Sequence, residues 1–138
     1  MTGGFPAPVV RHFLACTGVS GDTAVTPTRY TIENPFFALR PPPGVVYPFR
    51  VQELWLFCQF SDATGRHTFQ VDLSWDVDRE VRHIHTFNVD FGADRLAVRN
   101  YALRLTKLPL RRPGIYEFRL RTATAELARA TVRLEDLG

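Results

Sequence analysis

The sequence predicts an all-β domain, a two-sheet antiparallel sandwich of about eight strands that is immunoglobulin-like or jelly-roll-like. The clearest evidence lies at 101–134, where three segments alternate apolar and polar residues and a turn at 112–114 follows the first of them. In the middle segment Tyr116, Phe118 and Leu120 fall on one side and charged residues on the other. Such alternation is typical of a sheet with one buried and one solvated face.

Two further observations support this fold class. From Gly65 to Trp75 the alternation is the most regular in the chain, and a slip of one residue would turn its apolar side to water. Turn-forming residues recur at short spacing, and no segment convincingly predicts a helix. Residues 123–130 have helical propensity, but they follow a hairpin-length turn and their alternation continues to Leu134, which favours a strand.

Length and composition are those of one globular domain. The chain has 138 residues, of which 45% are hydrophobic, and a chain of this size buries roughly 68% of its unfolded surface. We therefore expect a flexible N-terminal tail at 1–8 and a single β-sandwich domain at 9–138. The net charge of +3 is mildly basic, well short of a polycationic nucleic-acid binder.

The elements of the first third are predicted from apolar runs and from residues that break them. Val9 to Cys16 and Arg29 to Glu33 are predicted strands. The stretch 17–28 between them contains glycines and a proline and is predicted to be a turn region. An apolar patch at 36–39 precedes three prolines at 41–43, which donate no backbone hydrogen bonds and so lie outside a sheet interior.

The longest apolar run, 45–60, is apolar on both faces around Trp55 and Phe57. This pattern predicts a central strand that is covered on both sides. The polar segment 61–65 then predicts a hairpin loop that leads into the strand ending at Trp75. The remaining predicted elements are a turn at 76–78, a strand at 80–87, a loop at 88–94, a strand beginning near 101 and a last strand at 126–135.

Several of these segments resemble a family of small, uncharacterised bacterial β-sandwich proteins, a domain of unknown function. The resemblance rests on the opening strand that ends near Cys16, the proline-containing approach at 46–51, the alternating strand at 65–75, and the segments 108–110 and 113–118. It spans most of the chain. It implies a β-sandwich fold and brings no activity, cofactor or site residue with it.

The two cysteines and the N-terminus indicate in which cellular compartment the protein is expected. Cys58 lies inside an apolar run and Cys16 closes another, so buried thiols are expected, and a disulfide between them requires that their strands be neighbours. The N-terminus lacks a basic segment followed by a long apolar one, and no stretch approaches the ~20 apolar residues of a membrane span. We expect a cytoplasmic protein without membrane contact.

His83 and His85 are the candidate metal ligands. At positions i and i+2 of a strand they are expected to project from the same face. A zinc site needs at least three protein ligands, so a third would have to come from another strand. The alternative is a pair of imidazoles on a partly exposed strand without a cofactor. A metal-dependent enzyme built on this pair is therefore an alternative function.

Five arginines fall on outward positions of the last three strands. If these strands pair as a meander, the arginines share one open sheet face, which is suited to an acidic protein, another anion or nucleic acid. The competing interpretation is a solvated face whose charges are neutralised by glutamates and discourage edge pairing. The candidate partner-binding residues are Arg104, Arg119, Arg121, Arg129 and Arg133.

No recognisable catalytic motif is present in the sequence. We therefore expect a non-catalytic interaction module, without a cofactor, that binds a protein partner or self-associates. Binding of an anion or nucleic acid through the arginine face is the first alternative.

Overall fold

In a computed structural model of the protein, residues 7–22 and 29–135 are described, without the side chains of Asp22, Asp78 and Arg79. These residues form ten strands and no helix, so no membrane-spanning helix occurs among them. The predicted tail at 1–8 falls mostly outside the described residues, apart from 7–8. The strands are β1 Val9–Cys16, β2 Gly18–Asp22, β3 Arg29–Glu33, β4 Ala38–Leu39, β5 Phe49–Ser61, β6 Arg66–Trp75, β7 Asp78–Asp90, β8 Arg99–Leu110, β9 Gly114–Arg121 and β10 Glu126–Leu134.

The strands form two packed sheets and a small hairpin. One sheet has the order β1-β5-β8, the other has the order β4-β10-β9-β6-β7, and β2 pairs with β3. The chain changes sheet between β5 and β6, again between β7 and β8, and again between β8 and β9. Three strands facing a sheet that holds two adjacent hairpins is the order of immunoglobulin-type sandwiches. The predicted all-β sandwich is confirmed, and of the two types considered the strand order is the immunoglobulin-like one.

Two predicted connections were wrong. The segment 61–65 is not a hairpin loop, because β5 pairs with β1 and β8 while β6 pairs with β7 and β9. The last three strands are not a meander either, because β8 lies in the other sheet from β9 and β10. Both connections are short and polar, and a short link between sheets has the same residue types as a hairpin turn.

The stretch 17–28 was also only partly predicted. Residues 18–22 form β2, which pairs with β3 throughout its length, and 23–28 lie outside the described residues. The β2–β3 hairpin brings Tyr30 to 6.0 Å from Phe57, measured between ring centroids. Phe57 is 2% exposed although it faces away from the sandwich interior. The prediction that this part of β5 is covered on both sides is therefore confirmed.

The core follows the predicted alternation. Phe69, Val71 and Leu73 of β6 are buried against the inward side chains of β5, and Phe60 stacks on Phe69 with 4.5 Å between centroids. In β9 and β10 the inward residues are buried likewise: Tyr116, Phe118, Leu120, Ala130, Val132 and Leu134. Burying one such side chain contributes about 1.5–3 kcal/mol, so this shared set is the main source of stability.

A tyrosine fixes the crossover from β8 to β9. The Tyr116 hydroxyl donates a hydrogen bond to the Arg112 carbonyl at 2.6 Å and accepts one from the Arg112 N–H at 3.3 Å. This is the tyrosine corner of immunoglobulin-type sandwiches, in which a tyrosine near the start of a strand binds the backbone just upstream. Burial raises the pKa of the Tyr116 phenol, so the hydroxyl keeps the proton that it donates.

Gly114, between these two residues, lies against an indole ring. Its φ is +142°, and a Cβ placed there would lie 2.5 Å from Nε1 of Trp75. Trp75 in turn stacks on Tyr116 with 6.2 Å between ring centroids. The crossover is therefore packed as one unit, from the Arg112 backbone through the tyrosine to the tryptophan.

We expect Tyr116→Phe to lower the free energy of unfolding by about 1–3 kcal/mol, because it removes both hydrogen bonds between the buried Tyr116 hydroxyl and the Arg112 backbone. The measurement is urea unfolding followed by fluorescence. Tyr30→Phe is the matched control, since Tyr30 is 38% exposed and should change stability by less than about 0.5 kcal/mol. Equal effects of the two variants would contradict the tyrosine-corner assignment.

Gly114→Ala should destabilise the fold more than Gly44→Ala. Gly44 also has a positive φ, +76°, but open space surrounds the position of its missing Cβ. Its replacement costs only backbone strain, about 1–3 kcal/mol, whereas at Gly114 the overlap with Trp75 adds about 1–3 kcal/mol. Thermal unfolding of both variants tests this, and similar melting temperatures would refute the contact.

Candidate interaction surface at the crossover end

The structure separates the five arginines that were predicted to share one face. Arg119, Arg121, Arg129 and Arg133 lie on the outer side of β9 and β10. Arg104 does not join them, because β8 belongs to the other sheet, where its Nε donates to Glu53 at 2.9 Å. The prediction of a single five-arginine face was therefore wrong, for the same reason that the predicted meander was wrong.

Most of the remaining arginines are paired with acids. Arg129 donates to Glu117 at 2.9 Å and to Glu126 at 2.8 and 3.0 Å. Arg119 lies 3.8 to 3.9 Å from the same two carboxylates, and no described residue forms a hydrogen bond with its buried Nε. Arg121 donates to Asp72. This part of the face is close to neutral, as the competing interpretation of the sequence held.

Asp72 is the buried anchor of the outer face. The residue is 4% exposed, although the alternation predicted an outward, solvated position. Its carboxylate accepts from Arg121, and its Oδ1 lies 3.1 Å from Nδ1 of His83. Burial opposes ionisation, but the hydrogen bonds and charges of Arg121 and His83 outweigh it and hold the pKa of Asp72 below its ordinary value.

The chain of contacts continues to a hydroxyl, because Thr86 Oγ1 lies 2.9 Å from Nε2 of His83. Carboxylate, imidazole and hydroxyl follow one another in the order of a nucleophilic triad. Thr86 is exposed on the sheet face and lines neither concavity described below. The arrangement links three strands, β9, β6 and β7, and we assign it a structural role.

His83 and His85 do not share a face. A β-bulge shifts the register of β7, so that His83 lies opposite Asp72 and His85 lies opposite the inward-facing Val71. His85 contacts the other sheet, with its Nε2 2.9 Å from the Tyr101 hydroxyl. The expectation that the two histidines project from the same face was therefore wrong. Within 7–22 and 29–135, no three His, Cys, Asp or Glu side chains are grouped so that they could hold a metal ion.

The two cysteines are free thiols on neighbouring strands. Cys58 lies opposite Phe13 and Cys16 lies opposite Trp55, so three residues of β1 separate them in register, about 10 Å. That separation exceeds what a disulfide spans. Burial raises the pKa of Cys58 to about 12 and also raises the pKa of Cys16, which keeps both thiols protonated and unreactive.

A cleft opens at the end of the sandwich where β8 crosses to β9. We call this region the crossover end; it comprises Phe37, the loop 40–48, the turn 76–77, the crossover 111–113, and the strand residues beside them. The cleft has a volume of about 60 Å³. Its lining residues are Leu73, Ser74, Trp75, Glu80, Arg82, Pro109, Arg111 and Tyr116.

A larger concavity of about 320 Å³ shares Ser74 and Trp75 with this cleft. It lies on the outer face of the sheet, where Val81 and Arg119 are among its lining residues. Val81 is 46% exposed. Trp75 thus borders both concavities, one at the crossover end and one on the neighbouring face.

Exposed apolar side chains are concentrated at the crossover end. Phe37, Val46 and Val77 are 78%, 83% and 72% exposed, and Ile115 is 39% exposed. They come from separate segments, which the strand directions bring to the same end. Exposed apolar side chains that gather at one end make that end a candidate interaction surface.

The sequence reasoning missed this surface. Its residues fall in loops and turns that carry no alternating pattern, and Trp75 and Tyr116 were interpreted only as core residues. The available signal was a tyrosine two residues after Gly114 at a strand entry. A hydroxyl on an inward position requires a polar partner, which here is the Arg112 backbone.

Comparisons with known proteins bear on the fold. No family model matches the sequence, and no curated protein matches it. The similar solved structures include a β-glucosidase from Listeria innocua: a mutant in complex with laminaribiose (TM-score 0.50, 14% identity) and the enzyme in complex with isofagomine (0.50, 14%) and with glucose (0.51, 12%). These alignments cover 89–91% of this chain but only 16% of the β-glucosidase chain. They support the sandwich fold alone.

Asp72→Asn is predicted to destabilise the protein by about 1–3 kcal/mol at neutral pH, because an amide cannot replace the charge-assisted bonds to Arg121 and His83. Because the folded pKa of Asp72 is depressed, its contribution is present above the ordinary Asp pKa and is lost as pH falls through the folded pKa. The difference in the free energy of unfolding between wild type and variant should therefore become smaller at acidic pH.

Urea unfolding of both proteins between neutral and acidic pH checks this expectation. Asp76→Asn, at an exposed turn, removes the same charge without breaking a buried pair and serves as the control. If the difference in unfolding free energy stays constant with pH, or if Asp76→Asn has the same effect as Asp72→Asn, Asp72 is not a buried ion-pair anchor.

Proposed function

We propose that the protein is a non-catalytic interaction module that binds an acidic protein partner through the crossover end. The observation that carries this proposal is that one end of the sandwich holds both several exposed apolar side chains and a cleft lined by Arg82 and Arg111. Interfaces commonly combine apolar and aromatic anchors with arginine. The proposal moves the predicted binding surface from the sheet face to the end of the sandwich.

The charge at this end favours an acidic partner. Arg50, Arg112 and Arg133 are exposed there and form no salt bridge with a described residue. Arg40 is paired with Glu135 at 2.8 Å. The surplus of positive charge would steer an acidic surface toward the exposed apolar residues. Of the five arginines selected from the sequence, Arg133 is the one that contributes to this surplus.

The same surplus disfavours the alternative of self-association through this end. In a two-fold dimer the same patch faces itself, so each arginine would approach its own copy. Like charges brought together across an interface are destabilising. We therefore favour a different protein as the occupant over a second copy of the chain.

The structural comparisons are compatible with a module. The aligned portion makes up 16% of the β-glucosidase chain, so a sandwich of this kind occurs there as a minor part of a larger protein. Binding of nucleic acid through the arginine face has less support, since acids pair with Arg119, Arg121 and Arg129. A metal-dependent enzyme has even less support, because His83 and His85 project from opposite sides of β7.

The test is a triple variant, Phe37→Ser, Val46→Ser and Val77→Ser, which removes the exposed apolar groups without touching the core. Immobilised wild-type and variant proteins are incubated with an extract of the source organism, and bound proteins are quantified by mass spectrometry. We expect at least one acidic protein to bind the wild type and to be reduced about tenfold or more on the variant, as for loss of interface anchors.

The matched control is Leu96→Ser with Val98→Ser, at the opposite end of the sandwich, where the two residues are 84% and 48% exposed. This control should retain the partner. The proposal fails if no protein distinguishes the triple variant from the control. It also fails if light scattering shows a dimer that the triple variant alone dissociates, because a second copy would then be the occupant.

A further inference from the structure

We propose that the cleft at the crossover end is a carboxylate-binding site that receives an aspartate or glutamate side chain of the acidic partner. This inference rests on the proposed function and assigns one chemical group of the partner to one place. Its basis is the combination of two guanidinium groups, two stacked aromatic rings and a small volume in the same cleft.

The volume of the cleft matches a carboxylate. At about 60 Å³ it is far below the roughly 300 Å³ at which drug-sized ligand sites begin. One water molecule needs about 10–15 Å³ of such space, so the cleft has room for the head group of one side chain, such as a carboxylate. We therefore assign it a single side-chain group of the partner and not a drug-sized ligand.

The two arginines have donors to spare. Arg82 donates a hydrogen bond from Nη2 to the Pro109 carbonyl at 3.2 Å, which connects β7 to β8 across the two sheets. Nη1 of Arg111 lies 3.8 Å from Oε2 of Glu80, beyond hydrogen-bond distance. Each guanidinium carries five N–H donors, so both can bind an incoming carboxylate while Arg82 keeps its tether.

Glu80 marks where an anion is accommodated. Its carboxylate lines the cleft close to Arg111, and both side chains are well exposed, 64% and 68%. An exposed pair at this distance contributes little and rearranges easily. A partner carboxylate therefore competes with Glu80 for Arg111, and removal of the Glu80 charge should strengthen binding.

The two tryptophans supply a built-in reporter and its control. The chain contains only Trp55 and Trp75. Trp75 lines the cleft, and its buried Nε1 has no hydrogen-bond partner among the described residues. Nε1 of Trp55, in the other sheet, donates to Glu53 at 2.8 Å. The indole N–H resonances of the two residues therefore distinguish binding in the cleft from non-specific binding.

The experiment is an NMR titration of the full chain with a capped hexaglutamate peptide, and with capped hexaglutamine as the uncharged probe, at low salt. We expect a saturable shift of the Trp75 indole resonance with the glutamate peptide alone, while the Trp55 resonance stays in place. Arg111→Ala should weaken binding about tenfold, the loss expected for charge-assisted hydrogen bonds, and Glu80→Gln should strengthen it.

Arg66→Ala is the charge-matched control. Arg66 is exposed at the opposite end of the sheet, and its substitution removes the same unit of positive charge. An unmoved Trp75 resonance, or equal weakening by Arg66→Ala and Arg111→Ala, overturns the carboxylate site. The experiment with the cell extract tests the interaction surface independently of the carboxylate site. If the triple serine variant loses its partner but Arg111→Ala keeps it, the interaction surface stands and the carboxylate site falls.

Discussion

The crossover between β8 and β9, held by the Tyr116 hydroxyl on the Arg112 backbone, is the constraint on which the rest of the structure depends. It sends the chain from one sheet to the other and so decides that the last three strands do not form a meander. It also places Gly114 against the indole of Trp75, which closes the core at this end. Trp75 and Tyr116 themselves line the cleft, and the exposed apolar residues lie on neighbouring segments at the same end. One hydrogen-bonded corner thus organises both the fold and the candidate surface.

On the outer face of the larger sheet, charged side chains form ion pairs that stabilise the fold. Asp72 is buried among Arg121 and His83, so breaking the pair would leave an unpaired charge in a poorly solvated place. Around it Arg129 is held by two glutamates. These ion pairs neutralise arginines that the sequence analysis assigned to a partner-binding face. The crossover end differs because Arg50, Arg112 and Arg133 form no salt bridge with a described residue.

Local patterns predicted the strands and their inward residues well, because alternation depends only on neighbours along the chain. Phe69, Val71 and Leu73 were assigned correctly for this reason. Partner strands were predicted poorly, because the same polar residues serve a hairpin turn and a crossover between sheets. The pairing of His83 and His85 failed because one bulge reverses the side on which a residue projects, and no residue type announces a bulge.

The central claim is that the crossover end, and no other surface, receives the partner. Hydrogen–deuterium exchange of the protein with and without the captured partner tests it most directly, because exchange reports protection of each segment. The account predicts added protection at 36–48, 76–82 and 111–115. Protection confined to the opposite end, at 61–65, 91–98 and 122–125, or to the outer residues of β9 and β10, would contradict it.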